Sequence, residues 1–224
     1  MQNTSELWKT IWASGNAELE YRFDINGKSY GPENEVEHAV DAGLFEDFGI
    51  GNAATAKLTM GLFATDIPRG ATIKRFVRIK NEGQVSEWIP KGVYFANRRS
   101  EDDGYWTIEA FDAMRKAEKV WSPDQSLSFP MPMSQAVTIF CELLDVELDE
   151  RTAINPSYTI DYPANNYTIR DELCFIAAAH AGNWIMTDAG RLYLVPLLSI
   201  PEETNYLVDE HGNAITFGGD RILV

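Results

Sequence analysis

ELEYRFDINGKSY, residues 18–30, decides how the chain is read. Leu19, Tyr21, Phe23 and Ile25 alternate with Glu18, Glu20, Arg22 and Asp24, the period of two that puts apolar side chains on one face of a strand and charged ones on the other. Asn26-Gly27 follows at once, the pair best suited to the two positive φ angles of a tight hairpin turn, and Lys28-Ser29-Tyr30 starts the return strand. One half-buried strand and its hairpin set an antiparallel pattern.

The same pattern recurs downstream. Thr55 to Phe63 sets Ala56, Leu58, Met60 and Leu62 against Thr55, Lys57 and Thr59, and Ala71 to Ile79 sets Ile73, Val77 and Ile79 against Lys74 and Arg78. Asn81-Glu82-Gly83 turns the chain, residues 87–98 give one or two strands, and Asp103-Gly104 signals a second hairpin before Trp106, Ile108 and Ala110. Short strands about ten residues apart with turn signals between them predict a sandwich or barrel. Upstream, residues 5–13 predict a short helix whose Leu7, Trp8, Ile11 and Trp12 must dock on something.

After Phe111 the composition shifts. Asp112 caps a short helix through Met114 and Ala117, and FPMPM (129–133) marks a connector. Ser134 is read as the cap of a helix with the core stripe Val137, Phe140, Cys141 and Leu144, which runs into an acidic loop. Thr168-Ile169-Arg170-Asp171 has the form of a capping box before a second helix carrying Ile169, Leu173, Ile176, Ala177 and His180 on one side, with Gly182 read as its stop. Residues 183–187 and 191–195 read as a hairpin with Leu192 and Leu194 inward. The predicted fold class is therefore α+β: an antiparallel β-barrel or sandwich-like domain with its short N-terminal helix (1–115), then a smaller α/β domain of helix plus hairpin (116–200). Residues 201–224 are read as strands that return to the β domain or start a further one.

The charge balance narrows the function. Nineteen basic against thirty-four acidic residues give a net charge of -15, so the chain lacks the electrostatic footprint of a non-specific nucleic-acid binder. The 45% hydrophobic content suits a sizeable core. No basic start precedes an apolar run, and no window nears 18 uninterrupted apolar residues, which predicts synthesis in a cytosol without a membrane span.

Candidate chemistry is sparse. His38, His180 and His211 lie far apart, and none stands in a metal-binding spacing. Cys141 and Cys174 read as small hydrophobes in helix faces. Cys174 and His180 are six residues apart, about 600° around a helix, so they do not face one ion. Gly49-Ile50-Gly51 precedes a strand rather than the helix a phosphate-binding loop requires. Glu101-Asp102-Asp103 reads as a solvated hairpin tip, although paired carboxylates also serve glycoside chemistry. Trp106 and Trp184 alternate inward, and a sugar-stacking platform is the rival reading. No catalytic, cofactor or metal residues are predicted.

Three stretches resemble the N-terminal part of phage and prophage tail hub proteins, the baseplate-hub family. They are Glu20 to Met60, IPRGATIKRFVRI (67–79) followed by SEWIPKGVYFANRRSEDDGYWTIEAFDAM (86–114), and Thr168 to Leu197. The resemblance covers roughly residues 7–197 and implies a barrel-like domain that joins its neighbours in a ring, a smaller α/β domain and assembly as a homotrimer when full length. It also implies a location at the tail tip or baseplate of a virion, after synthesis in the bacterial host cytoplasm. The implied partners are tail tube, distal tail, tape-measure or spike proteins. The chain stops within a plausible strand, ITFGGDRILV (215–224), earlier than longer members. For a ring through which DNA passes, an acidic subunit avoids holding the phosphates. Trp8, Trp12 and Trp88 are the interface candidates. The alternatives are a carbohydrate- or host-surface-binding module of a phage tail and, more remotely, a hydrolase.

Overall fold

The computed structural model describes residues 4–42, 49–162 and 166–197, with the backbone of 216–217 and 220–221. The chain runs through α1 (Glu6–Ala13), β1 (Glu18–Ile25), β2 (Lys28–Tyr30), β3 (Glu37–Asp41), β4 (Asn52–Ala53), β5 (Lys57–Phe63), β6 (Thr72–Asn81), β7 (Gln84–Val85), β8 (Ile89–Asp102) and β9 (Tyr105–Phe111). It continues through β10 (Met131–Pro132), α2 (Met133–Leu144), β11 (Thr159–Ile160), α3 (Ile169–Ala179), β12 (Gly182–Met186), β13 (Leu192–Pro196), β14 (Thr216–Phe217) and β15 (Asp220–Arg221). The fold is α+β.

Antiparallel strands in the order β2-β1-β6-β8-β9-β5-β3, with β7 paired to β6, make one large sheet. Phe23 and Ile25 on β1 and Ile73, Val77 and Ile79 on β6 are buried as their alternation requires, while Leu19, expected with them, is 49% exposed. The sheet curls into a half-barrel. Its two ends come within side-chain reach, because the His38 ring on β3 lies 4.4 Å from Tyr21 and 5.0 Å from Phe23 on β1. Phe23, Leu58, Met60, Leu62, Ile73 and Ile108 fill the interior.

A second buried cluster gathers Phe140, Leu173, Ile176, Trp184, Leu192 and Leu194 from α2, α3 and the β12–β13 hairpin, with Trp121 from the stretch before β10. It also contains Ala53, because β4 pairs in parallel with β12, Asn52 against Asn183 and Ala53 against Trp184. The turn of the β12–β13 hairpin rests on β8, where the Gly92 amide donates to the Asp188 carbonyl at 3.1 Å and Lys91 pairs with the Asp188 carboxylate at 3.1 Å.

Two helix boundaries differ from their sequence reading. Ser134 does not cap α2: the helix begins at Met133 behind Pro132, with no side-chain cap, and Ser134 lies inside the first turn. Gly182 does not stop α3 either. His180 is the C-cap, Ala181 takes the left-handed conformation at φ 48°, and Gly182 opens β12. Glycine is required there for another reason, since a Cβ would come 2.8 Å from the Val195 carbonyl oxygen across the hairpin. The Thr168–Asp171 capping box forms as read, with Thr168 Oγ1 accepting from the Asp171 amide and Asp171 Oδ2 from the Thr168 amide.

Candidate assembly surface

The three tryptophans singled out in the sequence fall in two places. Trp8 and Trp12 lie on α1, whose Ile11 is fully buried while Trp12 is 61% exposed and Leu7 40%. The helix is fastened at both ends. The Ser5 amide and hydroxyl donate to the Glu87 carboxylate at 2.8 and 2.6 Å, and Asn81 Nδ2 donates to Ser14 Oγ at 2.8 Å. The two bonds from Ser5, hydroxyl first, hold the Glu87 carboxyl below its usual range. A short helix with one buried side chain is thus held in place by hydrogen bonds, leaving Trp12 turned to solvent.

Trp88, just before β8, lies against side chains of β1 and β6. The Arg78 guanidinium lies 4.4 Å and that of Arg22 4.9 Å from its ring, distances at which the ring's negative face attracts cations. Beyond them a ladder of opposite charges crosses the two strands, Glu20 to Arg78 at 2.7 Å, Glu20 to Lys80 at 2.9 Å and Glu18 to Lys80 at 3.3 Å. Lys80 first and Arg78 second hold the Glu20 carboxyl below its usual range. Each pair is worth at most about 1 kcal/mol on such a surface, so the ladder fixes side-chain positions more than it adds stability. α1 and Trp88 are joined through Glu87, one residue before Trp88.

The residues weighed for chemistry are dispersed and engaged in structure. His180 Nε2 accepts from the Asn155 amide at 2.9 Å while its Nδ1 meets the Ile176 carbonyl at 2.7 Å. Burial pushes the Cys141 thiol up to about 11 and raises that of Cys174. Glu101 accepts from the Gly104 amide at 2.6 Å within the hairpin tip. Gly51, at φ 85°, presses against α3, where a Cβ would meet that of Ala178 at 2.8 Å. Trp184 is buried, its Nε1 donating to the Leu173 carbonyl at 2.9 Å. Trp106 is half-buried and donates to the Ala64 carbonyl at 3.1 Å. His211 lies outside the described residues. Among those described, no group of three or more His, Cys, Asp or Glu side chains could hold a metal ion.

One carboxyl with a strongly raised pKa was not singled out for chemistry in the sequence. Asp112 is buried and its pKa is pushed up to about 6, chiefly by desolvation. It borders a cavity of about 200 Å³ with Arg75, Tyr94 and Asp188. Both of its oxygens are already taken, Oδ2 by the Ala56 amide at 2.9 Å and Oδ1 by the Met114 amide at 3.1 Å. Those bonds join the start of β5 to the end of β9 and cap the turn that follows. No helix among the described residues is long and apolar enough to cross a membrane.

No protein-family model matches this sequence, and no curated protein matches it. Solved structures do. The 43 kDa tail protein of prophage MuSo2 from Shewanella oneidensis superposes with a TM-score of 0.54 at 13% identity, over 84% of this chain and 59% of that one. The chain has the fold of prophage tail proteins. A tail protein from Neisseria meningitidis MC58 matches with a TM-score of 0.50 at 14% identity, over 79% of this chain and 51% of its own. The chain spans a little over half the length of these tail proteins. At such identities the likeness is one of fold.

Proposed function

We propose that this chain is a structural, non-catalytic subunit of a bacteriophage or prophage tail, a hub at the tube tip that links the tube to spike or tip proteins. The observation that carries the reading is the shared fold over 84% of the chain with the MuSo2 tail protein. Assembly as a homotrimer, contact with tube, distal tail or tape-measure proteins, and a layout of 1–115, 116–200 and 201–224 belong to the same proposal. The two buried clusters support such a layout, with β4 carried across from the first part to the second. The exposed Trp12 and the neighbouring Trp8 and Trp88 are its proposed contact residues.

The charge is in keeping with the role, since a subunit of net charge -15 does not hold passing DNA by its phosphates. The test is location. Gold-labelled antibody against this chain should decorate one end of purified tail particles from a host that carries its gene. Labelling along the whole tube, or none on intact and disrupted tails alike, would overturn the assignment.

A further inference from the structure

The bulge in the β8–β9 hairpin brings arginines together on the surface of this acidic chain. Ala96 pairs with Ala110 and Arg98 with Glu109, so Asn97 is an extra residue on β8. Bulges re-aim the side chains beside them and recur next to functional sites. Here Arg98 and Arg99 both line a groove of about 840 Å³, together with Arg69 and Trp106. Arg99 is fixed in place: its guanidinium donates to the Ile67 carbonyl and lies 5.2 Å from the Trp106 ring. Arg69 and Arg98 are exposed, the Arg98 side chain by 83%.

Two carboxylates, Glu101 and Glu109, also border the groove, and the Asp66 carboxylate stands 3.9 Å from Arg99. Glu109 is held by Lys57 at 2.6 Å and stands 3.9 Å from Arg98, and Glu101 accepts from the Gly104 amide. Guanidinium forks suit carboxylates, and a preorganised one loses less freedom on pairing. A groove with three such groups and one aromatic wall calls for a segment that carries several carboxylates and some apolar side chains.

The chain contains such a segment outside the large sheet. Over the last turn of α2 and the stretch after it, Glu142, Asp145, Glu147 and Glu150 are exposed, Glu147 beside Arg191 at 2.9 Å, with Leu143 (50%) and Leu148 (37%) exposed among them. We infer that the Arg69, Arg98, Arg99 and Trp106 groove of one subunit receives the acidic 142–150 segment of a second copy. The two surfaces differ, so the contact is head-to-tail and generates a closed ring when the rotation between copies closes. The inference rests on the ring-forming part of the tail-subunit reading and supplies its specificity.

Charge swapping tests it, with the full chain in sedimentation velocity at several concentrations. The wild type should self-associate. Arg69→Glu with Arg98→Glu, and separately Glu142→Arg with Glu150→Arg, should each raise the dissociation constant at least about tenfold, and mixing the two variants should restore association. If a reversed variant melts early, Arg69→Gln with Arg98→Gln replaces it and should weaken association in the same direction. A wild type that stays monomeric throughout, or variants that associate like it, would overturn the inference and leave the labelling of tail particles untouched. Binding of a duplex oligonucleotide that is lost with the arginine changes, with self-association unaltered, would overturn it too and assign the groove to nucleic acid.

Discussion

The imidazole of His38, on the last strand of the large sheet, meets the ring of Tyr21 edge-on with centroids 4.4 Å apart and planes 65° from parallel. It stands the same way to Phe23. A titratable side chain therefore lies between the two ends of the half-barrel. Burial first, and the positive charge of Arg75 second, lower its pKa from the ordinary 6.5. The folded protein then resists protonation that the unfolded chain accepts, so stability falls as pH drops below about 6.5 and through the folded value. Urea midpoints measured from pH 8 to 5 should fall more steeply in the wild type than in His38→Gln, and equal slopes would disprove the assignment.

Asp112 bends the same profile in the opposite direction. Its folded pKa of about 6 lies above the unfolded value, so its contribution is complete below about pH 4 and is lost as pH rises toward 6. Asp112→Asn removes the charge and should flatten that part of the curve. Asp112→Ala leaves the Ala56 and Met114 amides without their acceptor and should destabilise by about 1–3 kcal/mol in denaturant titration. An unchanged midpoint would show that water replaces both bonds.

Gly51→Ala combines a left-handed backbone at φ 85° with a Cβ 2.8 Å from that of Ala178. The expected loss is about 1–3 kcal/mol by thermal melting. Adding Ala178→Gly should recover the part due to the clash and leave the part due to the backbone. No recovery would place the whole cost in φ.

Trp12→Ala should separate folding from assembly. With 61% of the residue exposed, its stability should stay within about 0.5 kcal/mol of wild type. Ile11→Ala, one residue away and buried, should cost roughly 2–5 kcal/mol. If Trp12 meets a tail partner, its variant should lose incorporation into particles while melting normally.

How legible this was in the sequence varied with the range of the interaction involved. β1, its Asn26-Gly27 turn and the Thr168–Asp171 box are set by neighbours a few residues apart, and they stand where the alternation and the cap residues put them. A glycine after a helix is an ordinary stop signal, whereas the need for Gly182 arises from Val195 on the opposite strand. Leu19 keeps the parity of a core residue yet lies beyond what the core covers, which no alternation can reveal. Trp88 stands out in the sequence as an aromatic, but its place beside Arg22 and Arg78 depends on the β1–β6 register. The arginine groove depends on a bulge, and a one-residue insertion leaves no mark in composition.

The parallel pairing of Asn52 and Ala53 with Asn183 and Trp184 has a consequence in time. The Asn52 amide donates to a side chain 131 residues away, and closing a loop of that length costs about 4 kcal/mol of chain entropy. On the ribosome, at 5–20 residues per second, roughly 7–26 s separate the synthesis of β4 from that of its partner. During that interval Ala53 has no cluster to enter and the stretch that carries it remains open to other strands. The order of synthesis thus leaves β4 open to mispairing until β12 has been made.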